Sequence, residues 1–165
     1  TAMVSRTAST GFLQITRVAP APPPAPAGAR DAAPAGADAE DGLAGALDRE
    51  GRAVLDGLAF ETGASALGPG PFAALDAVAA LLQARPALRV VLVGHTDAEG
   101  ALESNIALSR ARAASVRDRL VQEHGIDAAR LRAEGAGYLA PVAPNDSAEG
   151  RAANRRVEII VDPGG

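Results

Sequence analysis

The chain has 165 residues, 47% of them hydrophobic, and a net charge of -4, which allows one domain of ordinary size plus a tail. Its acidity and its four aromatic residues, Phe12, Phe60, Phe72 and Tyr138, give neither the basic surface nor the stacking platforms that nucleic acids need, so no nucleic-acid partner is expected. The absence of cysteine excludes disulfides and thiolate chemistry, and no apolar run approaches the roughly 18 to 20 residues that span a bilayer.

Residues 1–18 contain TGFLQITRV, which reads as a short strand within the remnant of an upstream region. A chain that begins at Thr1 without a leader suggests a piece of something longer, so any membrane link is expected through that missing region. Residues 19–41 are almost entirely Ala, Pro, Gly and Asp. That composition buries too little apolar surface to offset the entropy of ordering, and it predicts a flexible linker.

Residues 42–165 carry alternating elements. Arg52 to Phe60 reads as a strand, provided that Asp56-Gly57 forms a bulge. Pro71 suits a helix start, and Phe72, Leu75, Val78, Ala79 and Leu82 recur at helical spacing until Pro86. Leu88 to Val93 is a nearly continuous apolar run, as in a covered central strand. Leu102, Ile106, Ser109, Ala113, Val116 and Leu120 then follow the 3.6-residue period, with Gly125 as the stop. Leu131 to Gly135 is a short strand, 141–149 a loop, and Arg156 to Val161 the closing strand. The order β-α-β-α-β-β predicts an α/β two-layer sandwich, a mixed sheet packed against helices.

The strand-to-helix turn Gly94-His95-Thr96-Asp97 lies at the carboxyl end of a strand, where open α/β sheets bind ligands. Gly94 is read as relieving crowding there, and His95, Thr96 and Asp97 as occupying the mouth. Asp97 suits two roles, a turn or helix cap and an anionic ligand contact. Asn105, Arg112 and Arg119 are spaced by sevens and share a stripe offset from the apolar face. Arg119 lies too far down the helix to reach the turn and is expected to be solvated, like Arg110 and Arg117. All basic residues are arginine, which reads as coding bias, so Arg112 alone is equally a surface ion-pair residue. Of the adjacent Arg155 and Arg156, at most one can face a given pocket. His95 and His124 lack partners at metal spacing, and Ser104, Ser109 and Ser147 lack a nucleophile-elbow context. No metal, cofactor or catalytic group is expected.

The motifs GHTDAEG at 94–100, Asn105 with LSRARAASV at 108–116, GIDAARLRAEGAG at 125–137, Pro141 with Asn145, and GRAANRRVEI at 150–159 together resemble the OmpA-like carboxyl-terminal peptidoglycan-binding domain. The match runs from about Leu43 to Asp162. The resemblance implies noncovalent binding of the diaminopimelate in the peptide stem of peptidoglycan, in the periplasm, anchoring the outer membrane or an envelope protein to the cell wall. It assigns Asp97 to the ligand's ammonium and Arg112 to its carboxylate. Asn105 and Arg155 become flanking pocket residues, with Thr96 beside them. Two positions depart from the pattern: Ser104, where many relatives carry an aromatic, and Glu61, where Asp is commoner. A planar guanidinium donates two parallel bonds to a carboxylate, so the implied roles suit the residue types. The alternatives are a stator-like protein-interaction module of an envelope complex, or a wall hydrolase using His95 or Asp97, for which no second acid or nucleophile is evident.

Overall fold

A computed structural model of the chain describes residues 39–58, 60, 63–162 and 164, with the backbone alone for 39–41. The readings of residues 1–18 and of the linker up to residue 38 lie outside the described residues. The first described element is a helix, α1 (Ala39–Glu50), in a stretch to which the sequence reading assigned no element and whose first residues it placed in the linker. Leu43 and Leu47, one helical turn apart, bury their side chains against the next helix and the first strand.

Strand β1 spans only Arg52–Val54. The predicted strand to Phe60 is cut short because Asp56-Gly57 makes a turn, with Gly57 at φ 75°, rather than a bulge. Phe60 forms an isolated antiparallel bridge with Leu67. Helix α2 (Ala73–Ala84) begins two positions after Pro71, which precedes the capping residue Phe72, and it buries Leu75, Val78, Leu81 and Leu82. Arg85, just past its end, holds Asp48 of α1 through two bonds of 2.5 and 2.8 Å. Strand β2 (Val90–His95) leads to the long helix α3 (Leu102–His124), which ends on Gly125 in the left-handed region at φ 67°, as the sequence predicted.

A 3-10 turn at Ala128–Arg130 precedes β3 (Leu131–Gly137). Arg130 donates to the carbonyls of Leu82, Arg85 and Leu88, tying together the connection between α2 and β2. Between β3 and the last strand, β4 (Val157–Val161), lies a short helix that sequence periodicity did not reveal, α4 (Ala148–Asn154). The sheet order is β1-β4-β2-β3: β2 runs parallel to β3, while β4 is antiparallel to both β1 and β2. The α/β sandwich with a mixed sheet is therefore present.

The core is apolar and continuous, with Leu75, Leu82, Leu92, Leu120 and Ile159 each under 2% exposed. Burying each such side chain contributes about 1.5 to 3 kcal/mol. Helix α3 lies across β2 and β3 at very short range. A Cβ at Gly94 would sit 2.0 Å from the Ser109 carbonyl oxygen, and one at Gly135 would sit 2.4 Å from that of Ile106. Gly94 thus relieves crowding, as the sequence predicted, but inside the strand, where a helix backbone touches a strand backbone, and not where strand becomes loop.

Candidate functional site

The turn after β2 is built by backbone pairing and side-chain amides. His95 N–H donates to the Arg156 carbonyl and Thr96 N–H to that of Gly137, so the turn inherits its position from both neighbouring strands. Asn105, in the first turns of α3, is only 6% exposed, and its Nδ2 donates to the carbonyls of Glu99 at 2.7 Å and Ala101 at 3.1 Å. Asn105 therefore clamps the far side of the turn. Ala101, not Asp97, caps α3, and the Asp97 Oδ1 accepts only a long bond of 3.3 Å from the Glu99 N–H. The carboxylate's other oxygen, Oδ2, accepts from Arg155 Nη1 at 2.9 Å. Thr96 is buried and is absent from the walls of the neighbouring cleft.

Arg112 is 2% exposed and belongs to the buried face of α3 rather than to a solvated stripe. Its Nε donates to the Ala64 carbonyl at 2.9 Å, and its guanidinium carbon stands 5.3 Å from the centre of the Phe60 ring. Phe60 and Ala64 are in this way fastened to α3 by a cation. Arg112, Arg155, Phe60, Leu58 and Ala152 line a cleft of about 200 Å³. Burial pushes the Arg112 guanidinium below the usual arginine range, the Arg155 charge adds to that, and the Asp97 carboxylate opposes it. Two guanidiniums thus line one small space, and the Asp97 carboxylate is tied to it through Arg155.

Arg119 departs from its expected solvated state. It lies over the Phe72 ring at 5.5 Å, donates to the Gly68 carbonyl at 2.9 Å and pairs with Glu123. This repeats the Arg112 arrangement two turns further along the helix, so the sevens mark a row of loop-fastening arginines. Arg110 and Arg117 keep to the surface, paired with Glu134 and Asp118. Ser104 bonds the Ala101 carbonyl, and Glu61 lies outside the described residues.

One residue that sequence reasoning left without a role organises the opposite wall. Asn154, fully buried at the end of α4, accepts from the N–H groups of Val142 and Ala143 at 2.8 and 3.1 Å. It donates to the Ala143 carbonyl at 2.8 Å and to Asn145 Oδ1 at 3.0 Å. Asn145 Oδ1 also accepts from the Ala98 N–H at 3.1 Å, which joins this loop to the Asp97 turn. The signal was Ser147 three residues before Gly150, whose N–H it caps, in a segment too short for periodicity.

Beneath the turn, His95 is 4% exposed, its Nε2 stands 3.7 Å from Glu158 Oε1, and neither ring nitrogen has a hydrogen-bond partner among the described residues. Arg156 pairs with Glu158 at 2.6 Å and reaches the Ala140 carbonyl, so it faces the opposite way from Arg155. Burial lowers the His95 pKa from 6.5, the Arg156 charge lowers it further, Glu158 opposes, and Arg52 adds a smaller push. A folded-state value below the unfolded one means that His95 contributes stability in full above about pH 6.5, and that this is lost as pH falls towards the folded value. The urea midpoint is expected to drop between about pH 7 and pH 5, and His95→Asn to flatten that drop. An unchanged slope in the variant counts against His95 as the titrating group.

Among known proteins, the model of the OmpA family matches residues 59–155. Outer membrane protein A of Bordetella avium is 46% identical over 102 residues, which cover 62% of this chain and 52% of that protein. The peptidoglycan-binding protein ArfA of Mycobacterium tuberculosis is 41% identical over 105 residues, 64% of this chain and 32% of that protein. The solved cell wall anchor of the T6SS from Pseudomonas aeruginosa superposes with a TM-score of 0.56 at 34% identity, over 73% of this chain and 94% of that one. The chain spans about a third to a half of the length of the curated relatives it matches.

Proposed function

The chain belongs to the OmpA family, and we propose that its folded unit binds peptidoglycan noncovalently, through the diaminopimelate of the peptide stem. Diaminopimelate carries an ammonium and a carboxylate on one carbon, and the geometry supports this reading: Asp97 is bonded to Arg155, which lines one cleft together with Arg112. Asp97 receives the ammonium. Arg112, held rigid by Ala64 and Phe60, receives the carboxylate, and Arg155 flanks both. Asn105 holds the turn in place, and the Thr96 N–H ties it to the Gly137 carbonyl.

The role is non-catalytic anchoring of an outer-membrane or envelope protein to the cell wall, in the periplasm. The Ala, Pro and Gly-rich stretch before Ala39 acts as a tether whose composition gives reach. A tethered module profits from high effective concentration, so modest affinity per domain suffices.

The test is a pull-down with isolated diaminopimelate-type peptidoglycan. Asp97→Ala and Arg112→Ala are each expected to weaken retention by at least about tenfold, because each strands the opposite charge as well as losing a charge-assisted bond. Circular dichroism checks that the fold persists. Full retention by both variants would sink the site assignment.

A further inference from the structure

We propose that Arg155 is a built-in occupant of Asp97 that the ligand's ammonium displaces, and that the freed guanidinium then joins Arg112 on the ligand's carboxylate. This rests on the reading of the same cleft as a site for an α-amino acid group. Asp97 has one oxygen on the Glu99 N–H and the other on Arg155, so the place an ammonium would take is filled by a cation of the protein. The two arginines differ in how firmly they are held. Arg112 is 2% exposed and fixed by the Ala64 carbonyl and the Phe60 ring, whereas the Arg155 side chain is 37% exposed and projects from the residue that ends α4. Arg155 is the movable cation.

Charge bookkeeping then distinguishes ligands. Arg112 and Arg155 line the cleft together, Asp97 is bonded to Arg155, and the Arg155 charge already disfavours the charged form of Arg112. A simple amine adds a third cation, and it must expel Arg155 from Asp97 with nothing to offer it in return. An α-amino acid brings its own anion. Its ammonium takes Asp97 and its carboxylate sits between Arg112 and Arg155, so the displaced Arg155 regains an anionic partner and the repulsion between the two guanidiniums falls. Arg155 is in this sense a specificity residue: it penalises amines and favours amino acids.

Two probes share the spacing of their amino groups, meso-diaminopimelate and 1,5-diaminopentane, the second lacking both carboxylates. Their binding to the wild type and to Arg155→Gln is followed by amide chemical shifts in NMR titrations, and shifts remote from the cleft report the fold. Gln keeps the length and loses the charge. The variant is expected to bind 1,5-diaminopentane about fivefold more tightly, the scale of a partly exposed ion pair, and diaminopimelate about fivefold more weakly. Weakening of both probes together, tightening of both, or no change in either overturns the exchange. So does the absence of a saturable diaminopimelate shift in the wild type. Failure of the broader reading looks different: peptidoglycan would be retained by Asp97→Ala, whatever Arg155→Gln does to the probes.

Discussion

Asn154→Ala is expected to lose about 3 to 5 kcal/mol of folding stability, a large effect for one polar residue. The substitution removes four hydrogen bonds at a fully buried site, each worth about 1 kcal/mol net. It also leaves the N–H groups of Val142 and Ala143 without their acceptor, and such orphaned donors cost more than the lost bond itself. Asn154→Asp is the informative companion. It preserves shape and the acceptor for those two N–H groups, but it sets a carboxylate against the Ala143 carbonyl and Asn145 Oδ1, where an amide donor stood. A comparable loss is expected, which would separate the hydrogen-bond pattern from packing. Urea unfolding followed by circular dichroism measures both variants. A loss under about 1 kcal/mol in Asn154→Ala would show that the loop of residues 141–147 is held by other means.

The consequence reaches the cleft because Asn154 grips Asn145, which in turn grips the backbone at Ala98, one residue from Asp97. Arg151 adds a second strut, bonding the Asn145 carbonyl at 3.1 Å and pairing with Glu99 at 3.3 Å. From the other side Asn105 fastens the Glu99 and Ala101 carbonyls. The half-exposed pair of Asp97 and Arg155 is therefore carried by buried amides on both flanks, and α4 brings Arg155 to it. Neutral amides that pay no ionic desolvation cost thus do most of the positioning beneath this ion pair.

Legibility in the sequence followed the length and regularity of each element. Helix α3 was readable because Ser109, Ala113, Val116 and Leu120 keep one period and Gly125 ends it. β2 was readable as an apolar run. Helix α1 was not, since Gly42 and Gly45 lower its helix propensity and it offers only Leu43 and Leu47 as large apolar residues. The strand after it was overestimated because Leu55, Leu58 and Phe60 suggested continuity, while Asp56-Gly57 broke it. In the site, the sevens on α3 grouped Asn105 with Arg112 correctly but placed them outside the buried face. That face is polar at its amino-terminal half, because there the helix meets glycine backbone and loop carbonyls instead of apolar side chains. Periodicity of apolar residues cannot register a face of this kind. Asn154 was invisible for a related reason: its four partners lie in a loop whose path only the folded chain defines.

Gly94→Ala is the second large effect, and it probes the contact on which this arrangement depends. The new methyl carbon would lie 2.0 Å from the Ser109 carbonyl oxygen and 2.7 Å from its carbon, both backbone atoms that no rotamer change can move aside. Either α3 lifts from β2 or the strand shifts, and a loss of at least about 3 kcal/mol is expected. A helix displaced here carries Asn105 and Arg112 away from Asp97, so peptidoglycan retention should fall along with stability even in the fraction that stays folded. Gly42→Ala provides the contrast. It sits in α1 with nothing within 4 Å of its would-be Cβ, so alanine there should raise stability by about 0.5 to 1 kcal/mol through helix propensity alone. Thermal unfolding of the pair would place them on opposite sides of the wild type. A Gly94→Ala protein within about 1 kcal/mol of wild type would mean that α3 can ride further from the sheet without penalty. The seating of α3 would then be set by the loop-fastening arginines Arg112 and Arg119 rather than by the glycines beneath it.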